Sequence, residues 1–314
     1  MGQPRNIAED IIVRRLEHKD IPGCVDLIGA IYENKRHAGY FEWQLFENVF
    51  PTVCFGAFAG ETLVGMFGVQ KRPATTGQTA GQIISMNIHP DWVGKGLLKK
   101  ISAPALSFFG DLDFVCIFTH NEKSVKPCEA ALGLFFPDPI GAMETDTAGP
   151  AVKPDIAVED VTLDTAFPSV SYIHGDRVGL AATREFRLWR FAKTPVYRYR
   201  KVMLSDNVFA IVKTIPIHGG IGMYGDIVDL ECQADDADAI RELTAITVSH
   251  LVRSGANKIA TWATPGSCLR KVLEDSGFRP GFKSYFGFKM LQKDDRRLHS
   301  LGAWHFRQAD APKY

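Results

Sequence analysis

The stretch from Gln82 to Gly110 constrains the chain most, because it reads as a strand, a glycine turn and a helix in that order. Ile83, Ile84, Met86 and Ile88 form an apolar, β-branched run of strand length. His89-Pro90-Asp91-Trp92-Val93-Gly94-Lys95-Gly96 ends it, since Pro90 cannot continue a ladder and two glycines permit a tight backbone. From Leu97 onward, Leu98, Ile101, Leu106, Phe108 and Phe109 return at mostly helical spacing, interrupted by Pro104. This order makes an anion seat. Glycines let main-chain N–H groups approach a ligand, and a helix N-terminus adds about half a positive charge. Lys95 adds a full one.

A chain of 314 residues is long enough for two ordinary domains or one large one. Its 36 basic and 36 acidic residues cancel, which argues against a nucleic acid or a membrane surface as the main partner. The six cysteines (Cys24, Cys54, Cys116, Cys128, Cys232, Cys268) form no C-x-x-C pair and read as reduced core residues of a cytoplasmic protein. No apolar run has transmembrane length, and the start, MGQPRNIAED, has no signal-peptide core.

Along the chain, residues 11–16 predict a strand, and Asp20-Ile21-Pro22 opens a helix with Val25, Leu27, Ile28 and Ile31 on its apolar face. Tyr40 to Phe46 is an aromatic helical patch suited to a core or a domain contact. Val53–Ala59 and Thr62–Val69 predict a hairpin around Gly60-Glu61. Phe114–Thr119 is apolar throughout, as for a strand inside a sheet. A helix through Cys128 to Leu132 follows, with Gly133 as its cap. Residues 144–165, rich in Pro, Asp and Thr, read as a linker.

The remainder partly repeats the first half. Phe186-Arg187-Leu188-Trp189-Arg190-Phe191 parallels Phe41-Glu42-Trp43-Gln44-Leu45-Phe46, and each is followed by a proline (Pro195, Pro51) and strands. Asn207–Thr214 and Gly225–Glu231 predict strands, and Ala237–Ser254 an amphipathic helix. Lys258–Trp262 is a further strand, and Leu269–Ser276 a helix ending in Gly277-Phe278. The second half has no glycine turn, because Cys232-Gln233-Ala234-Asp235-Asp236 stands in its place.

A lone G-x-G also occurs in ordinary strand–turn–helix connections. The longer segment HPDWVGKGLLKKI, however, resembles the pyrophosphate loop of the GNAT acetyltransferase superfamily, in which a V-H-P-like strand end precedes an R/Q-x-x-G-x-G/A turn. Two positions depart from it: Val93 replaces the usual Arg or Gln, and Leu98 the last small residue. Thr119-His120-Asn121-Glu122-Lys123-Ser124 and Leu132-Gly133-Leu134 resemble the F-P-N-x-x-S and L-G-[FW] segments of GNAT members linked to bacterial surface-polysaccharide genes. The resemblance implies acetyl-CoA as cofactor. It implies contacts from Met86, Ile88, Val93, Gly94, Lys95, Gly96, Leu97 and Leu98, and from Asn121 and Ser124 in the later loop. Asn121 also suits an Asx-turn cap, and the two roles are compatible.

Acetyl transfer needs a deprotonated amine, a polarised thioester carbonyl and a proton for the leaving thiolate. In GNAT enzymes a Tyr after the splayed strand often supplies that proton. The matching position here is Glu129, which also reads as a solvated helix residue. Ser85, Asn87 and His89 alternate along the central strand and are substrate-side candidates, although His89 also suits a structural role. Asp226, Asp229 and Glu231 in the second half could hold a cationic amine or form a solvated strand face. No metal site is expected, since His37, His120, His174 and His218 lack ligand spacing.

These readings converge on an α/β (α+β layered) protein of two GNAT-like units, each a mixed, largely antiparallel sheet flanked by helices. Residues 1–145 would carry the acyl-CoA site, and 146–314 a degenerate second unit. The expected activity is acetyl transfer from acetyl-CoA to a primary amine of a small molecule, such as an amino sugar. The candidate catalytic residues are Asn87, His89 and Glu129. A homodimer is compatible with this. The alternative is a catalytically silent GNAT fold that binds an acyl-CoA or a partner protein, and the missing Tyr favours it.

Overall fold

A computed structural model of the chain describes residues 11–32, 36–146, 157–169, 171, 175–217, 221–232, 236–292 and 295–312. The N-terminal ten residues, the middle of the Pro/Asp/Thr-rich stretch, positions 233–235, His174 and His218 lie outside the described residues.

The first half runs β1 (Ile11–Arg15), α1 (Ile21–Ile31), α2 (Ala38–Phe41, widening through Glu42–Phe46), β2 (Thr52–Ala59), β3 (Thr62–Pro73) and β4 (Thr79–Ile88). It continues with α3 (Leu97–Ser107), β5 (Phe114–Thr119), α4 (Val125–Leu132) and β6 (Ile140–Asp146). The second half runs β7 (Ala157–Asp160), α5 (Arg184–Arg187, widening through Leu188–Ala192), β8 (Arg200–Ser205), β9 (Val208–Pro216) and β10 (Met223–Cys232). Then come α6 (Ala237–Arg253), β11 (Ala256–Thr261), α7 (Cys268–Asp275) and β12 (Arg279–Met290). No sequence pattern predicts a strand at β6, β7, β8 or β12, and β6 in part and β7 wholly fall within the stretch expected to be a linker. Among the described residues no helix is long and apolar enough to cross a membrane.

The strands form one mixed sheet in the order β1-β2-β3-β4-β5-β12-β6-β11-β10-β9-β8-β7. Most pairings are antiparallel; β4–β5 and β10–β11 are parallel. The centre of the sheet is an exchange. β12 comes from the second half and pairs with β5, from Tyr285 opposite Thr119 to Met290 opposite Phe114. β6 comes from the first half and pairs with β11, from Lys258 opposite Asp146 to Thr261 opposite Met143. Each half therefore supplies the strand that completes the other.

Both halves share one irregularity. β4 bulges at Ile84, between the pairs Val69–Ile83 and Gly68–Ser85, and its pairing with β5 stops at Ile83–Ile117. β10 bulges at Val228, between Ile227–Val212 and Asp229–Ile211, and its pairing with β11 stops at Ile227–Thr261. This sets Ile83–Asn87 in register with Ile227–Glu231 and makes the repeat structural. A bulge bends its strand, so in each half the parallel pair separates past that point.

The sheet is packed on both faces. Phe67, Val69, Ile83, Val115 and Ile117 pack against Leu97 and Ile101 of α3 and Cys128 of α4. On the other face Leu27 and Ile28 of α1, Phe41, Trp43, Phe186 and Trp189 form a core spanning both halves. Over the exchanged strands, Phe286 and Phe288 meet Trp304 and Phe306 of the C-terminal segment.

Candidate functional site

The glycine turn has the features of an anion seat. His89 ends β4, and its Nδ1 accepts the Asp91 N–H at 3.3 Å, capping the single turn Pro90–Trp92. Val93 is exposed, and its side chain contributes nothing to a core. Gly94 and Gly96 have φ of +80° and +74°. A Cβ at either would meet nothing within 4 Å, so backbone conformation rather than space demands glycine there. Gly96 caps α3 with no side-chain hydrogen bond, so among the described residues the first N–H groups of this eleven-residue helix are left open. Lys95 is exposed, with Nζ 4.8 Å from the Trp92 ring centre. Leu97 is buried, and Leu98 packs onto the core beneath α3.

The second half closes the same place. At the start of α6, Asp236 Oδ1 accepts the N–H groups of both Asp238 and Ala239 at 3.0 Å. The helix end open in α3 is filled in α6 by the chain's own carboxylate.

Where β4 and β5 separate lies a cleft of about 670 Å³. Ser85, Met86 and Asn87 of β4 and Thr119 of β5 line it, with Asn121 and Ser124 beyond. Asn121 Oδ1 accepts the Lys123 N–H at 3.1 Å, the turn cap expected of it, and Asn121 also borders the cleft. His120 Nδ1 and Ser284 Oγ lie 2.8 Å apart, tying this loop to the exchanged strand β12. Met86 Sδ lies 3.5 Å from Cys128 Sγ on α4. Ile88 packs partly buried against the same core.

The cleft thus gathers Met86, Asn87, Asn121 and Ser124 of the expected set. His89 and the turn from Val93 to Leu98 follow β4 outside its lining, and Glu129 is exposed on α4, also outside it.

The opposite wall escaped sequence reasoning. Tyr32 after α1, Arg36, His37 and Tyr40 line it, and Tyr197 and Pro312 reach in from the second half. The Tyr32 hydroxyl and Asn87 Oδ1 are 3.5 Å apart. Burial raises the phenol pKa values of Tyr32 and Tyr40, and the nearby Arg36 cation opposes it in both. The one available signal was Arg36-His37, a polar break between two apolar helical patterns.

Asp226, Asp229 and Glu231 are neither an amine site nor a solvated face. All three are buried. Arg187 Nε holds Asp229 Oδ2 at 3.1 Å and Arg187 Nη2 bonds Glu231, while Lys213 faces Asp226 at 3.6 Å. By the shared bulge, Asp229 and Glu231 correspond to Ser85 and Asn87. Where the first half has a cleft, the second has a fully buried Arg187 from α5.

No protein-family model matches the chain, and no curated protein matches it. Solved structures match its fold. A putative acetyltransferase from Pyrococcus horikoshii aligns over 96% of both chains at 12% identity and a TM-score of 0.63. A tandem GNAT protein from the clavulanic acid biosynthesis pathway aligns over 91% of this chain and all of its own, at 11% identity and a TM-score of 0.58. Saccharomyces cerevisiae N-myristoyltransferase with bound myristoyl-CoA aligns over 99% of this chain and 86% of its own, at 10% identity and a TM-score of 0.60. With the bulged central strand, the splayed parallel pair and the open helix end, these likenesses give the chain the fold of the GNAT N-acetyltransferases, whose solved neighbours here include a tandem member.

Proposed function

We propose that the chain is an acyl-CoA-dependent N-acetyltransferase acting from acetyl-CoA on a primary amine of a small molecule. Residues 1–145 carry the acyl-CoA site, and 146–314 are a degenerate unit that walls the acceptor side. The observation that carries this is the contrast at the two helix starts. The α3 N–H groups behind Gly96 are open beside Lys95, and the matching groups of α6 are filled by Asp236.

Open N–H groups and a lysine suit a pyrophosphate. Gly94, Lys95 and Gly96 would hold it, with Met86, Asn121 and Ser124 bordering the path beyond. When bound, acetyl-CoA supplies the activated acyl group. Main-chain N–H groups of β4 past Ile83, where pairing with β5 has ended, would polarise the thioester carbonyl. Asn87, with Tyr32 beside it, positions the acceptor. The free cysteines, five of them buried, fit a reducing, cytoplasmic setting.

One observation favours a second reading. The α4 position facing Met86 is Cys128, burial pushes its thiol up to about 12, and Glu129 points to solvent. No acid of α4 lines the cleft, as in a silent acyl-CoA-binding module. Calorimetry with acetyl-CoA, followed by thiol release against an amine panel, tests both. One molecule bound per chain with amine-dependent release is expected; binding without release selects the silent module, and no binding at millimolar acetyl-CoA sinks both.

A further inference from the structure

We infer that the acceptor carries an oxyanion, a carboxylate or a phosphate, beside its amine, and that Arg36 binds that group at the mouth of the cleft. This deepens the transferase reading and rests on it for the identity of the second ligand.

The first ground is the charge of the lining. Among the described residues no carboxylate lines the cleft. Its charged and titratable groups are Arg36, His37 and the phenols of Tyr32, Tyr40 and Tyr197. A site built to attract an ammonium would present an acid there.

The second ground is the state of Arg36. Its guanidinium carbon sits 4.1 Å over the Tyr40 ring, and it pairs with no described carboxylate. A guanidinium held over an aromatic face still has N–H groups to offer a ligand, and its fork suits bidentate binding of carboxylate or phosphate.

The third ground lies behind the wall. Arg190 is buried, and its hydrogen bonds go to the carbonyls of Ala309 and Ala311 rather than to an acid. That segment runs directly into Pro312, which lines the cleft. Lys213 Nζ lies 3.6 Å from the centre of the Tyr197 ring, though Asp226 balances that charge. Behind the cleft therefore sits a buried guanidinium that, among the described residues, hydrogen-bonds no carboxylate, since the Asp310 carboxylate between its two carbonyl partners is held by Arg72 and Arg307. The same field disfavours an ammonium and so favours the neutral amine needed for attack. One arrangement holds the acceptor by its anion and readies its amine without a carboxylate base.

The test uses the full chain saturated with CoA and matched probes that differ by one oxyanion. Glucosamine against glucosamine 6-phosphate forms the phosphate arm, and tyramine against tyrosine the carboxylate arm. Calorimetry is expected to show the anionic member binding at least about tenfold tighter in one arm, the scale of one charge-assisted bidentate contact. Arg36→Ala should erase that preference while leaving the neutral member and CoA unchanged, and Arg36→Lys should keep part of it. Equal affinities in both arms, no binding in either, or a preference that survives Arg36→Ala would overturn the inference. Thiol release with acetyl-CoA and the same probes separates the two levels. An Arg36-dependent preference without release keeps the anion site and removes the transferase reading. Release at equal rates from neutral and anionic amines does the reverse.

Discussion

Trp43 and Trp189 stack with ring centres 4.5 Å apart and planes 14° from parallel, and each indole N–H donates to the other's main-chain carbonyl, at 3.0 and 3.2 Å. They occupy the same position in the two repeats, so the contact is reciprocal, as across the twofold axis of a dimer. Both are buried, and each satisfies the other's only polar group, which a buried Trp requires.

The pair should therefore be energetically coupled. Trp43→Ala and Trp189→Ala should each cost roughly 3–5 kcal/mol, from lost burial and a cavity. The double variant should cost less than the sum by about 0.5–1.5 kcal/mol, the stacking contribution. Urea unfolding of the four proteins measures this, and strictly additive losses would show that the halves do not communicate through the stack.

The strand exchange predicts that the halves cannot be separated. A fragment of residues 1–150 lacks β12, and β5 would present its unpaired edge with Phe114 and Phe118 stripped of Phe286 and Phe288. Such an exposed apolar edge aggregates. The fragment is expected to be insoluble alone and soluble when co-expressed with residues 151–314. A soluble, monomeric 1–150 that unfolds cooperatively contradicts this.

The anion seat predicts a separation of charge from fold. Gly96→Asp should abolish CoA binding by calorimetry, because a carboxylate would sit in the proposed pyrophosphate seat. Gly96→Ala has the same φ of +74° to accommodate and the same open space, so it should cost about 1 kcal/mol of stability and retain measurable binding. Asp236→Ala should remove the α6 cap at a cost of about 1 kcal/mol and leave one CoA per chain. If Asp236→Ala impaired CoA binding as Gly96→Asp does, the functional asymmetry of the halves would be wrong.

The sequence revealed what local chemistry fixes. The glycine turn, the strand before it and the Trp43/Trp189 repeat were legible because Pro90, Gly94, Gly96 and the aromatic spacing act over a few residues. The exchange was not, since β6 and β12 find partners more than a hundred residues away and pairing leaves no local mark. Aromatic alternation at Phe286 and Phe288 was the available hint of a strand, though not of its place. Asp226, Asp229 and Glu231 show the opposite limit. An alternating acidic strand looks the same from sequence whether water or a buried Arg187 balances it. The cleft wall opposite β4 joins Arg36 to Tyr197 and Pro312, so only the folded chain assembles it.

Lys213 and Asp226 supply the last prediction. They face each other at 3.6 Å, each about 1% exposed. Burial pushes the Asp226 carboxyl up to about 6, with Lys213 opposing. Burial pushes the Lys213 ammonium down to about 8, with Asp226 opposing. Asp226 is raised on folding, so between its ordinary 3.8 and about 6 the folded chain binds more protons than the unfolded one. Its favourable contribution is complete below that window and is lost as pH rises through it. Lys213 is lowered, so between about 8 and its ordinary 10.5 the unfolded chain binds more protons, and stability returns as pH rises. The pair is therefore most costly between about pH 6 and 8. Against an Asp226→Leu/Lys213→Met double variant, in which other groups titrate alike, the native chain should lose roughly 2–3 kcal/mol of relative stability from pH 4 to pH 7. Part of that loss should return by pH 10. Lys213→Met alone should be worse at pH 7 than the double variant, because it leaves a buried carboxylate without its cation. Guanidinium unfolding across pH 4–10 measures both effects, and a flat difference between native and double variant would show that the pair is solvated rather than buried.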